Sequence, residues 1–189
     1  MAYLSFWTNA KHIAKHEKVD LFVVELATLL HDIADWKFNE DDNAGPHVAR
    51  EWLTSLSVDE DTVEHVCQIV KHISFKGALV KNKINTREGM VVQDADRLDA
   101  IGAVGIARAF AYGGSSGRKI YDPSMKPKKH STFEEYKNSN SSTINHFYEK
   151  LLLLKDRMNT ETAKKIAKKR HKVMEHFLKD FFREWENKT

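Results

Sequence analysis

The stretch LFVVELATLLHDIADW, residues 21–36, constrains the fold of this chain more than any other. It is apolar on nearly every side of a helix. Such a helix is stable only when neighbours cover it, so it belongs at the centre of a fold. Asp20 stands just before it and suits its N-cap. His31 and Asp32 sit side by side toward its end. Adjacent helical residues point about 100° apart, so both reach one ion only near a helix end or kink. One reading makes His31 a satisfied core histidine and Asp32 a local hydrogen-bonding group. The other makes them half of a metal site, because neutral imidazole and carboxylate both ligate divalent metals well.

The remainder of the chain is patterned for helices. Only 3 prolines and 8 glycines occur in 189 residues, and no convincing alternating strand is present. Residues 3–17 place Leu4, Trp7, Ile13 and Ala14 on a loose stripe, with no visible cap. Pro46 suits the first turn of a short amphipathic helix. Asp59 then opens a helix with Val63, Val66, Ile69, Val70 and Ile73 on one side. Residues 87–112 read as one long buried helix, and two more helices are expected near 143–157 and 160–186. The expected fold class is all-α, one domain over residues 1–189. Residues 112–131 form the one long polar loop, and loops of that length in compact domains are often functional.

Composition narrows the function. Apolar residues make up 41% and charged residues 30%, an ordinary globular balance. The single Cys67 has no partner for an internal disulfide, which fits a reducing, cytoplasmic setting. No apolar run approaches about 18 residues, so no membrane span is expected. GGSSG is not followed by Gly-Lys-Ser/Thr, which excludes a P-loop ATPase. The basic run in residues 162–185 raises nucleic acid as a partner. Against it, the net charge is only +3. Ile166, Val173, Phe177, Leu178 and Phe181 form a core-facing stripe there, leaving most lysines on a solvated face. Phe181, Phe182 and Trp185 suit either a homodimer contact or packing on the first helix.

A second ionisable run lies in VVQDADRLDA, where Asp94, Asp96, Arg97 and Asp99 interrupt an apolar helix. Carboxylates in such a place are costly unless paired or metal-bound. Arg97 can pair with Asp96 or Asp99, which makes part of the run structural. Two apolar helices that each carry ionisable residues in mid-run point to a shared polar centre.

Three stretches carry a resemblance: ELATLLHDIADWKF (25–38), DADRLDAIGAVGIARAFAYGG (94–114) and IYDP (120–123). Together they resemble the HD-domain metal-dependent phosphohydrolases, from about Trp7 to Trp185. The resemblance implies that His31, Asp32 and Asp94 ligate a divalent cation: Mn, Co, Ni, Fe, Zn or Mg. It implies catalytic work for Asp35, which would orient or deprotonate water, and for Lys37, a phosphate contact. His72 and Lys76 would reach the same centre, His72 as an extra ligand or a phosphate contact. Arg97 and Asp99 would form an ion pair in the pocket wall. Arg118, with Lys119, would offset phosphate charge from a Gly-rich loop, 113–122, acting as a lid. The implied activity is hydrolysis of a phosphorylated small molecule, with nucleotides leading, as a phosphomonoesterase or a nucleoside triphosphate pyrophosphohydrolase.

The chain departs from that family in one place. Aligned on Trp7, the family's first metal histidine falls at Ala2 and its arginine at Ser5. The first helix therefore reads as starting midway through the family's own. His12 and His16, four apart, read as surface residues rather than replacements. This departure favours a rival reading, an HD-fold ligand-binding or scaffold protein without turnover.

Overall fold

The computed structural model describes residues 2–33, 44–75, 83–132, 134–135, 139 and 141–187. Among them there is no strand, and the expected all-α class holds. The helices are α1 (Ala2–Ala14), α2 (Leu21–Leu30), α3 (Ala44–Ser55), α4 (Glu60–His72), α5 (Arg87–Asp99), α6 (Gly102–Ser115), α7 (Thr143–Glu149) and α8 (Glu161–Trp185). A 3₁₀ helix, Leu151–Arg157, lies between α7 and α8. The chain divides into two compact units, Met1–Phe75 with Asn82–Asp96, and Lys76–Lys81 with Arg97–Thr189.

In the first unit, α2 packs on α1 and α4, and α3 packs on α4. Asp20 caps α2 as its sequence suggests: its carboxylate accepts from the Phe22 and Val23 amides at 2.8 and 3.4 Å. The buried face of α2 is Val23, Val24, Ala27, Thr28 and Leu30. Leu21, Phe22 and Leu29 are about half exposed, so α2 is not covered on every side as its composition suggests. The inner stripe of α1 also differs from expectation. Phe6, Ala10, Ile13 and Ala14 are buried, whereas Leu4 is exposed. Positions 6, 10, 13 and 14 keep strict i, i+4, i+7, i+8 spacing, and that spacing selects the face. In α4 the Asp59 carboxylate accepts from the Thr62 amide, and Val63, Val66, Ile69, Val70 and Ile73 are all buried, as the pattern predicts.

The expected helix 87–112, which starts in the first unit and runs into the second, is broken in two. Ile101 is extended, and Gly102 follows at φ +80°, a left-handed conformation that a side chain strains. The chain then turns back closely: a Cβ on Gly105 would lie 2.2 Å from the Ala100 carbonyl oxygen. At this break the Leu98 carbonyl, freed from the helical ladder, accepts from the Ile101 amide and the Arg170 guanidinium. Helix α6 extends through Ser115, and Gly113 lies against the Thr143 hydroxyl. The lid expected at 113–122 thus begins as helix. It continues as a tethered connection, since the Lys119 and Ile120 carbonyls accept from the Thr143 and Ile144 amides at 2.8 and 3.0 Å. The Asp122 carboxylate, held by Lys119 and Ser124, secures the following turn.

The predicted helix 143–157 is divided at Lys150 into α7 and the 3₁₀ helix. Helix α8 is capped by Thr160 and buries Ala163, Ala167, His171, Met174 and Leu178. Val173, expected in the core, is exposed. The buried stripe runs through positions 163, 167, 171, 174 and 178, and Val173 lies off it. Phe181, Phe182 and Trp185 surround Tyr121, with ring centroids 5.9, 5.4 and 5.2 Å away and planes near perpendicular. Tyr121 belongs to the IYDP stretch, and neither role foreseen for these three aromatics included it.

Two outcomes follow from this packing. Gly105→Ala should cost at least about 1–3 kcal/mol by driving a Cβ into backbone, read as a lower urea midpoint; an unchanged midpoint would contradict the turn. His146 on α7 is pushed down to about 3, first by burial and then by the charges of Lys150 and Arg118. Its unfolded value is about 6.5. Between those values the unfolded chain takes a proton that the folded chain refuses, so stability should fall as pH drops through this window. In chemical denaturation across that range, His146→Gln should show a shallower acid decline than the parent.

Candidate active site

Helix α2 ends at Leu30, and His31 occupies its C-cap with αR backbone angles. The last carbonyls of a helix have no intrahelical amide to accept from, and a histidine there can satisfy one. The His31 Nδ1 lies 2.8 Å from the Thr28 carbonyl oxygen and donates to it. The other ring nitrogen, Nε2, is then directed to the Asp32 carboxylate, with Oδ2 at 2.9 Å. Phe6 of α1 closes one side of the imidazole edge to face, its centroid 4.3 Å away. The His31 side chain is 9% exposed and the Asp32 side chain 44%. One donor is fixed and dry, and the other stands open to water.

Electrostatics follow from this placement. Burial pulls the His31 pKa down, yet the hydrogen bond and charge of Asp32, the charge of Asp96 and the Thr28 carbonyl outweigh it. The net result is a raised value. When His31 is protonated, that proton lies between Nε2 and Oδ2, in the place where a cation would bind both atoms.

The third expected ligand, Asp94, is on α5 and is fully buried. Its neighbour Asp96 is half-buried and supplies the charge felt at His31. Gln93 ties α5 to the end of α4 through a 3.3 Å bond to the Ile73 carbonyl. Half-buried His72 occupies the last turn of α4. The donors present fit a divalent ion in kind, an imidazole nitrogen with a carboxylate oxygen beside it. A backbone carbonyl on the far ring nitrogen is also the partner that typically fixes a metal-binding imidazole. Among the described residues, no group of three His, Cys, Asp or Glu is placed to hold a metal ion. The structure thus joins His31 to Asp32, and it does not join Asp94 to them in such a group.

Asp35, Lys37 and Lys76 lie outside the described residues. Arg97 and Arg118 belong to the second unit. The Arg97 guanidinium is buried and donates to the Arg157 carbonyl. Asp99 takes Arg108 as an ion-pair partner. That pairing joins residues nine apart, and only the turn at Gly102 makes it available; the spacing rules for a continuous helix do not show it. Arg118 lies 6.0 Å from the Tyr112 ring and close enough to His146 to depress it. His12 and His16 are exposed with their rings together, as expected of surface residues. Sequence reasoning missed Phe6, Thr28 and Asp96 as the surroundings of His31. Thr28, three residues before His31, was the one visible signal, because a C-cap side chain reaches back about one turn.

Residues 4–101 match the HD domain family. The chain belongs to that family, and the match ends where α5 gives way to α6. It is 39% identical over 172 residues to the uncharacterized protein YpgQ of Bacillus subtilis, covering 90% of this chain and 76% of that one. A crystal structure of a Lactobacillus plantarum protein is similar with a TM-score of 0.88 at 39% identity, over 98% of this chain and 86% of that one. An HD-superfamily hydrolase from Bacillus thuringiensis is similar with a TM-score of 0.74 at 42% identity, over 98% and 85%. B. subtilis YpgQ in complex with ADP is similar with a TM-score of 0.75 at 34% identity, over 97% and 87%. Among the described residues no helix is long and apolar enough to cross a membrane.

The His31–Asp32 pair can be checked without activity. In metal-free protein, Asp32→Asn removes the charge that raises His31 and leaves only a neutral amide oxygen as acceptor. The His31 titration, followed by NMR, should move to lower pH. An unmoved titration would mean the two side chains are not paired.

Proposed function

We propose that this chain is a divalent-metal-dependent phosphohydrolase that acts on nucleotides, cleaving a phosphomonoester or releasing pyrophosphate from a nucleoside triphosphate. The observation that carries this reading is the His31–Asp32 pair, whose imidazole is oriented from behind by the Thr28 carbonyl. Membership of the HD domain family and the hydrolase among its structural relatives support hydrolysis. The ADP held by YpgQ supports a nucleotide.

In this reading His31, Asp32 and Asp94 hold the cation, with Asp94 joining the pair from α5. When bound, a divalent cation supplies Lewis acidity toward phosphoryl oxygen and acidifies water. Asp35, three residues after Asp32 in the sequence, takes the proton from the attacking water. Lys37, His72 and Lys76 bind the phosphate and offset its growing negative charge. His31 stays fixed by Thr28 and Phe6, so little reorganisation is needed at the first donor.

The test combines metal analysis with product assays. Protein would be loaded with Mn²⁺, Co²⁺, Ni²⁺ or Mg²⁺ and offered nucleoside tri-, di- and monophosphates. Release of phosphate or pyrophosphate should fall at least about 100-fold in Asp32→Ala and Asp94→Ala, since even the loss of a ligand's outer partner typically costs 10- to 100-fold. Nucleotide binding with no bound metal and no release would overturn hydrolysis and leave the ligand-binding reading in its place.

A further inference from the structure

The second unit contains a basic concavity that the reading above does not use. It has a volume of about 270 Å³ and is lined by Lys155 of the 3₁₀ helix and by Lys168, Lys169, His171, Lys172 and Glu175 of α8. His171 is buried, while Lys168, Lys169, Lys172 and Glu175 are exposed, so the imidazole forms the floor beneath a charged rim.

The cations of α8 are not equivalent. Lys164 pairs with Glu161, and Arg170 is committed to the Leu98 carbonyl. Lys168, Lys169 and Lys172 have no ion-pair partner among the described residues. Lys155 stands 3.7 Å from Asp156, and His171 Nε2 stands 3.3 Å from Glu175. The His171 Nδ1 is buried with no hydrogen-bond partner among the described residues. Lys168 and Lys172 are one turn apart and repel, a small destabilisation that a solvated helix gains nothing by keeping. Lys155 faces the same hollow from a different element, so the charge is focused on a cavity and not spread along a helix.

We propose that this concavity is a second anion site, which takes the oligophosphate of a small molecule. Size and charge select that class. Small-molecule pockets typically enclose about 300–1,000 Å³, so a hollow of this volume accommodates a di- or triphosphate chain and leaves a nucleoside outside. Four lysines match the several negative charges of such a chain, and compact ammonium groups bind phosphate as point charges. A nucleic acid strand needs a continuous basic track. Here the lining is interrupted by an acid, Glu175. Its lining lies wholly in the second unit, whereas the His31–Asp32 pair belongs to the first.

The experiment is calorimetric titration of the full chain with inorganic triphosphate, in EDTA so that no metal site contributes. One-to-one binding is expected, weakening with added salt as an electrostatic site must. The triple variant Lys168→Ala/Lys169→Ala/Lys172→Ala should bind at least about tenfold more weakly. Asp32→Ala and the off-site Lys165→Ala should bind like the parent. Thermal unfolding of each variant checks its fold, and triphosphate should raise the midpoint of the parent but not of the triple variant. Equal binding by parent and triple variant, or no saturable binding, would overturn the proposal. So would tight binding of a single-stranded oligonucleotide where triphosphate fails. None of these outcomes bears on hydrolysis, which is read from product release with metal present.

Discussion

The bond from His31 Nδ1 to the Thr28 carbonyl is the contact on which the candidate site depends. It solves a backbone problem and a functional one together. An apolar helix must still satisfy the carbonyls of its last turn, and a buried carbonyl left without a donor costs about 1–3 kcal/mol. Here an imidazole does it, and in doing so it fixes its own ring with the second nitrogen aimed at Asp32. Phe6 then removes the freedom to rotate away. The question raised by the His-Asp dipeptide, capping group or half of a metal site, is therefore not a choice between exclusive answers. Capping orients the donor.

Much of this was legible because it is local. Asp20 and Asp59 precede apolar runs, and each caps the helix expected of it. The five apolar positions of α4 are all buried. What the pattern hid was tertiary. Leu4 and Val173 are as apolar as the residues beside them, and only the packing partner decides which stripe faces inward. The long helix over 87–112 was misread because Gly102 and Gly105 are tolerable in a helix if nothing crosses them. Their true reason is the positive φ at one and the close carbonyl at the other. The Asp99–Arg108 pair was hidden for the same cause, since it exists only after the turn forms. The His31–Asp32 adjacency was visible at once, whereas Phe6, twenty-five positions earlier, was not.

Both units bury titratable groups: Asp94 in the first, and Asp99, His130, Glu149 and His171 in the second. In the second, arginines are directed to backbone: Arg97 to the Arg157 carbonyl, Arg170 to the Leu98 carbonyl. Guanidinium groups suit this because each presents several donors and remains charged with little hydration to lose. These contacts hold helix ends where the ladder is broken, at the 3₁₀ helix and after α5. At the candidate site of the first unit the ionisable groups are carboxylates and a histidine. Such groups have protonation states that respond to neighbours, which guanidinium does not.

The unequal exposure of His31 and Asp32 has a consequence for binding order. A donor that is buried, hydrogen-bonded on its far side and walled by an aromatic ring has little rotamer entropy left to lose. An exposed aspartate has more, and holding a flexible side chain at an interface typically costs about 0.5–1.5 kcal/mol. When His31 is protonated, its proton must also leave before a cation enters, and the raised His31 value makes that departure harder as pH falls. Metal affinity at this pair should therefore be governed less by placing the imidazole, which the end of α2 has already done, than by fixing Asp32, displacing that proton and recruiting a third donor. In the proposed reading that third donor is Asp94, which is fully buried on α5.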